Sequence, residues 1–480
     1  MSVFTDFVFE AGLVARSIGD YFSGAALRLG VTGLSRSGKT VFLTALVNNM
    51  IAGARLPVLA ASAEGRITRA RLEPQPDDAV PRFAYEDHLM SLSGPDRRWP
   101  RSTRRIAELR LTIEFERAAG WGARSSSLTL DLVDYPGEWL LDLPLLDKTY
   151  AEWSCETLAA SRTPARAPLS DKWRAALAGL DAEADANEDA ARRIAELFTA
   201  YLKRARDDVY ALSTLPPGRF LMPGDLEGSP ALTFAPIALG EDATIAPGSL
   251  AAMMARRYEA YKAHVVRPFF RDHFARLDRQ IVLVDALTAL NSGPAALSDL
   301  EHALSDILRA FRAGRSSRLA SIFRPRIDRI LFAATKADHL HHTSHDRLEG
   351  ILRALTAKAI ARAEGVGAEI DVIALAAIRA TREAQIRHGR ETLDAIIGVP
   401  EMGETIGGQV FDGVAEAAVF PGELPAEPNA IFKGDAIALP EADNDWRFVR
   451  FRPPLTQRGE PAPQIRLDRA LQFLIGDRLA

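Results

Sequence analysis

Short apolar runs that end in glycine or an acid recur along this chain and alternate with stretches of helical spacing. Ala26–Thr32, Ser127–Asp134, Gln280–Asp285, Arg329–Ala334 and Ile370–Leu375 are compact and apolar enough for buried strands of a mostly parallel sheet. Glu108–Phe115 alternates apolar and polar residues, which suits an edge strand. Val41–Val47 continues with helical spacing after the first run. Between the second and third runs, Trp173–Leu180, Ala190–Asp207 and Leu250–Phe274 carry helical periodicity and good helix formers. Leu215–Gly218 and Met222–Gly224, rich in proline and glycine, divide them into bundle-like segments. The pattern predicts an α/β fold with a mostly parallel sheet flanked by helices and a large α-helical insertion. It divides into an N-terminal amphipathic helix (1–24), a discontinuous core (25–140 and 279–397), the helical insertion (141–278) and a C-terminal extension (398–480). That extension is Pro- and Gly-rich, with strand-like pieces such as Trp446–Phe451 and a closing amphipathic helix, Leu467–Leu479, expected to pack back on the core. No internal repeat is visible.

The first strand leads into Gly33-Leu34-Ser35-Arg36-Ser37-Gly38-Lys39-Thr40, which fits the phosphate-loop spacing G-x-x-x-x-G-K-[ST] in its strand–loop–helix context. Gly33 and Gly38 let the backbone curl so that successive N–H groups face inward and cradle anionic oxygens. The helix start adds partial positive charge. Gly33, Ser35, Arg36, Ser37, Gly38, Lys39, Thr40 and Val41 are therefore candidate phosphate-binding residues. Lys39 reaches the β- and γ-phosphates, and the Thr40 hydroxyl ligates Mg²⁺. The competing reading is a glycine-rich turn without phosphate.

Asp134-Tyr135-Pro136-Gly137 closes another strand in the pattern hhhD-x-x-G. Asp134 would hold Mg²⁺ through its water shell, and the Gly137 N–H would sense the γ-phosphate. ATPases with a second acid after this aspartate are disfavoured, because Tyr135 stands there. Farther along, Thr335-Lys336-Ala337-Asp338 ends a strand. A carboxylate there accepts two hydrogen bonds from guanine N1–H and N2–H, which adenine cannot supply, so Asp338 selects the base. The Lys336 stem can cover the purine face. Thr335 replaces the more usual Asn, which changes how neighbouring loops are braced. Alone this motif is weak; behind the other two it is strong.

GLSRSGKT, DYPGEW and TKAD together resemble the YcjX family of bacterial P-loop GTPases, over nearly the whole chain. The resemblance implies a Ras-like P-loop core, binding of GTP and GDP with Mg²⁺, and a stress-associated role beside a membrane-protein partner. In Ras-like proteins a threonine before the edge strand closes over Mg²⁺; Thr103 is the candidate, with Ser102 behind it, and the competing reading of both is an ordinary solvated loop. Ala376-Ala377-Ile378 falls where such proteins place a loop whose backbone N–H groups serve guanine O6. Candidate catalytic residues are Lys39, Glu138 and Arg36. Glu138 holds the position of the usual water-orienting Gln, or starts a solvated helix. Arg36 is a built-in finger, or faces solvent or the insertion.

The 480 residues are 47% hydrophobic and 25% charged, the composition of an ordinary folded protein with a large core. A net charge of −4 gives no basic field for a nonspecific nucleic-acid binder. Cys155, the only cysteine, cannot form an internal disulfide, consistent with a reducing cytoplasm. No stretch reads as a membrane span or a secretory signal. The N-terminal helix carries Asp6, Glu10 and Asp20 against Arg16, which favours packing on the protein over anionic lipid, so cytoplasmic, or peripheral at the inner membrane, is the expected location. Asp285 reads as a helix cap. His339, His341, His342 and His345 read as a hydrophilic loop more than a metal centre. Besides a slow, partner-regulated GTPase switch, two readings stay open: a GTP-dependent interaction module with negligible hydrolysis, and a P-loop ATPase or kinase.

Overall fold

The computed structural model describes residues 26–34, 36–75, 77–101, 103, 105–118, 125–207, 210–239, 245–310, 327–364, 367–406, 408–429, 448–457 and 459–480. The expected helix over 1–24, Ser35 and Ser102 lie outside them.

A seven-stranded sheet has the order β2-β3-β4-β1-β5-β6-β7. Its strands are β1 (Leu27–Gly33), β2 (Ile67–Glu73), β3 (Ala107–Glu116), β4 (Ser125–Asp134), β5 (Arg279–Val284), β6 (Arg329–Ala334) and β7 (Glu369–Ala374). β4-β1-β5-β6-β7 are parallel, whereas β3 runs antiparallel to β4 and β2. Parallel strands covered on both faces must be apolar on both, and β5 shows this. Ile281 and Leu283 enter one core; Val282 and Val284 enter the other.

β3 is not the edge strand its alternation predicts. It lies between β2 and β4, and β2 is the edge. The sequence ITRARLE hides β2, because its charges stay partly solvated at an edge. The polar positions of β3 are paired rather than solvated: Glu108 and Thr112 are buried, and Arg110 pairs with Asp131 on β4 at 2.7 Å.

The helix Lys39–Ile51 starts from Gly38 in the left-handed region (φ 84°), where glycine avoids Cβ strain, and buries Phe42, Leu43, Leu46 and Val47 against the sheet. The closing helix covers the same face. Leu467, Leu471, Leu474 and Ile475 are buried, but the α-helix ends at Ile475, and Gly476–Arg478 forms a 3₁₀ turn instead of continuing to Leu479. Arg279, 1% exposed, ties this end to β5 through Leu474 O and both Asp477 oxygens at 2.5–2.6 Å. The Trp446–Phe451 expectation fails in part. Residues 446–447 lie outside the described chain, and Phe451 makes an isolated bridge to Pro400, which has no N–H to extend a ladder.

Between β4 and β5 the helices Tyr150–Ser161, Ala167–Ala178, Glu188–Arg206 and Leu250–Tyr261 enclose an aromatic core. Trp153 stacks on Tyr258 with centroids 5.1 Å apart, and Trp173 on Tyr201 at 5.7 Å. The long helix expected over Leu250–Phe274 is interrupted by a π-helical turn, Lys262–Val266, before Arg267–Asp272. Pro268 cannot donate the i→i−4 bond that a continuous helix requires.

The segment after β4, a 3₁₀ stretch over Gly137–Asp147, belongs to this aromatic core rather than to solvent. Tyr135, fully buried, meets Phe269 edge-on at 5.5 Å. Asp142 Oδ2 accepts the Tyr261 O–H at 2.6 Å, and Oδ1 accepts the Gly218 N–H at 2.7 Å. Burial pushes the Asp142 carboxyl up to about 6, against the bonds from Tyr261 and Gly218 that lower it. A raised folded-state value means the folded chain holds this proton more tightly than the unfolded one. The stability it contributes is complete below about pH 4 and lost as pH rises through about 6, a term of about 3 kcal/mol at most. Asp142→Asn is expected to flatten the fall in thermal midpoint over that window. An unchanged pH profile would show that Asp142 is not its source.

Candidate functional site

The carboxyl ends of β1, β4, β5, β6 and β7 face one cavity of about 700 Å³, within the usual range for small-ligand sites. Its lining includes Arg36, Ser37, Gly38, Lys39, Thr40 and Val41 from the glycine loop, Thr103, Glu138, and Thr335, Lys336 and Asp338. Ala376, Ala377 and Ile378 complete the wall beyond β7.

Two buried atoms of the glycine-loop end have no partner among the described residues. Ser37 Oγ and Asp134 Oδ1 are both shielded and unpaired, which is costly unless a ligand meets them. Thr103 Oγ1 donates to Asp134 Oδ2 at 2.5 Å and lies 3.0 Å from Thr40 Oγ1. Thr40, Thr103 and Asp134 thus gather hard oxygen donors at one point, a set that fits Mg²⁺. Burial raises the Asp134 carboxyl to about 6, while Lys39 and the Thr103 hydroxyl pull the other way. Lys39 Nζ donates to Gly33 O at 2.7 Å, a bond that an anion in the loop would compete for.

Backbone meets backbone around Gly137. A Cβ at this position would sit 1.7 Å from Gly33 O, so only glycine lets the strand-end turn touch the loop. One residue on, Glu138 is buried at 5% exposure in the first turn of the 3₁₀ segment, so it does not begin a solvated helix. Its Oε1 lies 3.6 Å from Arg206 Nη1 on the insertion. Gly218 packs from the other side, where a Cβ would fall 1.7 Å from Glu138 O. Arg36 sits in the left-handed region (φ 62°), and burial, followed by the like charges of Arg206 and Arg450, lowers its guanidinium from the ordinary value.

At the far end, Asp338 is 4% exposed, and its Oδ2 accepts the Ala380 N–H at 2.8 Å. Ala380 leads into the hairpin β8 (Arg382–His388) and β9 (Glu391–Gly398), so a second small sheet steadies the carboxylate. Lys336 takes φ 62° and reaches Asp285 at 2.5 Å. Asp285 also caps Ala286–Asn291 by accepting the Thr288 N–H, the role its strand-end position suggests. Its partial burial opposes ionisation, yet Lys336 and Thr288 hold its carboxyl below the ordinary value. Thr335 bonds Val284 O through both N–H and hydroxyl, bracing β5 where Asn would reach other loops. The Ala376 N–H is committed to Ile465 O at 3.1 Å, so a carbonyl oxygen of a bound base would turn to Ala377 and Ile378 instead.

Sequence reasoning missed several wall residues. Arg206 and Ala211–Leu215 come from the insertion; Glu401, Glu404, Phe448 and Arg450 come from the C-terminal extension. None carries a motif, because each reaches the cavity through tertiary packing. Of the histidines, His339 is buried against Phe451, and His345 Nε2 meets Ala337 O at 2.9 Å. His341, His342 and Glu383 bring ligand atoms within 4.8 Å of one another, with Arg379 also 3.3 Å from Glu383. Among the described residues no helix is long and apolar enough to cross a membrane.

Gly137→Ala and Gly218→Ala are each expected to cost at least about 3 kcal/mol of stability, since the obstructing atom is main-chain carbonyl and cannot rotate away. Thermal unfolding checks this; an unshifted midpoint would mean that these segments are not in contact.

Residues 27–479 match the model of the YcjX-like family, DUF463. The chain is 39% identical over 465 residues to the Ras-like GTPase YcjX of Escherichia coli K12, covering 94% of this chain and 96% of that protein. It is 34% identical over 482 residues to the Ras-like GTPase YcjX of Shewanella oneidensis MR-1, covering 94% of each. The mostly parallel sheet with its phosphate loop is accordingly a Ras-like P-loop α/β fold. With this match spanning nearly every described element, the chain belongs to the YcjX-like family.

Proposed function

We propose that this protein binds GTP with Mg²⁺ and hydrolyses it slowly to GDP and phosphate, as a switch regulated by a partner. One observation carries the reading: a phosphate loop, two threonine hydroxyls, one of them bonded to the buried strand-end Asp134, and a buried base-selecting aspartate meet at one cavity, although they span residues 34 to 338. The Ras-like GTPase names of the two relatives support it.

In this reading Ser37 and the loop N–H groups hold phosphate oxygens, and Lys39 leaves Gly33 O for the β- and γ-phosphates. Thr40, Thr103 and Asp134 would hold Mg²⁺, which when bound neutralises phosphate charge. Asp338 accepts from guanine N1–H and N2–H, with the Lys336 stem over the ring. Glu138 lies in the position to orient water. The stress-associated role and the membrane-protein partner are adopted from the family resemblance, and the cytoplasmic location, or a peripheral one at the inner membrane, from the lone Cys155 and the sequence pattern.

Competition between GTP and ATP for the purified protein tests the base. GTP is expected to win, and equal displacement would remove the guanine assignment. Asp338→Asn is expected to weaken GTP on the order of 100-fold and favour xanthosine triphosphate, since the group facing position 2 changes from acceptor to donor. Lys39→Ala is expected to weaken di- and triphosphates alike, as read by calorimetry.

A further inference from the structure

We propose that Arg206 is a catalytic arginine supplied within the chain by the helical insertion. The proposal rests on the GTPase reading above and assigns the group that stabilises the γ-phosphate during transfer.

Arg206 is the last residue of the helix Glu188–Arg206. That helix is fixed by the insertion core through Phe198, Tyr201, Leu202 and Ala205, all buried. Its guanidinium projects into the same cavity as Lys39, Thr40 and Arg36. There it lies 3.6 Å from Glu138, directly after the glycine that touches the phosphate loop. Two arginines, Arg36 and Arg206, and one lysine therefore converge on the loop, where like charges repel. Asp207 and Asp285 offset part of this repulsion at Arg36, and a polyanion in the loop would offset it further.

The charge balance explains why a carboxylate can stand here at all. A bare Glu138 would repel the γ-phosphate, and pairing with Arg206 cancels that repulsion. A guanidinium has five N–H donors in a planar fork, so it can span a carboxylate and a phosphate oxygen together. During hydrolysis the water oxygen bonds to the γ-phosphorus while the bond to the β–γ bridging oxygen breaks. GDP leaves with that electron pair, and a water proton passes to the released phosphate. Arg206 forms no covalent bond. It offsets the charge on the equatorial and bridging oxygens and leaves Glu138 to orient the water. A cation at a helix C-terminus is also locally favourable, so the test must separate this role from a structural one.

Single-turnover hydrolysis, GDP titration calorimetry and trapping of GDP with aluminium fluoride, all on the full chain, make that separation. Arg206→Ala is expected to slow hydrolysis at least about 100-fold, to abolish the fluoride-trapped complex, and to leave GDP affinity within about threefold. Arg206→Lys keeps the charge and the helix end, and is expected to fold normally yet recover little of the rate, because the planar fork is lost. Hydrolysis by Arg206→Ala within about threefold of the parent rate would overturn the assignment. So would a parallel loss of GDP affinity, or full activity of Arg206→Lys. A parent protein that binds GTP without hydrolysing it also overturns it, whereas one that binds no GTP refutes the GTPase reading itself.

Discussion

Three backbones meet without side chains between them. Gly33 O of the phosphate loop touches Gly137, and one residue on, Glu138 O touches Gly218 of the insertion. Carbonyl oxygens and α-carbons in direct contact have no rotamers with which to absorb displacement, so a shift at one end must be passed on or break the stack. The loop, the strand-end turn and the insertion are thus one mechanical unit. The aromatic core extends it, because Tyr135 and Trp139 sit among Phe269, Phe274 and the residues around Gly218 rather than on the sheet.

The site is also satisfied within itself. Lys39 rests on Gly33 O, Thr103 on Asp134, Glu138 near Arg206 and Lys336 on Asp285. Each pair keeps a charged or polar group from being buried alone, and the Lys39 bond would be exchanged for a ligand contact rather than added to it. Affinity is then a difference between two sets of hydrogen bonds, smaller than either set. What remains unpaired, Ser37 Oγ and Asp134 Oδ1, is where binding gains without giving anything up.

Much of this was legible along the chain where chemistry is local. The glycine loop is readable because its conformation demands Gly38 at φ 84°, Asp134 because it ends an apolar strand, and Asp338 because it closely follows one, in the 3₁₀ turn Ala337–His339. β2 was not readable, since an edge strand bearing Arg69, Arg71 and Glu73 carries no apolar signature. The burial of Glu138 was hidden because Arg206 and Gly218 lie 68 and 80 residues away. The loss of Ala376 as a donor was hidden because Ile465 arrives from the tail. The histidine run shows the same limit, as its members point to different neighbours once folded.

The sheet order carries a consequence for synthesis. β1 emerges first, yet it is the central strand, hydrogen-bonded to β4 and, some 250 residues later, to β5. Its partner β5, and the helix Leu467–Ile475 that packs on β5 and β6, are made long after it. Until then the glycine loop hangs from a strand with a bare flank, and the fold cannot close in the order it is translated. Any nascent-chain chaperone would have to shield that strand until β5 is made, and a product lacking Leu467–Ile475 would leave the apolar face of β5 and β6 uncovered.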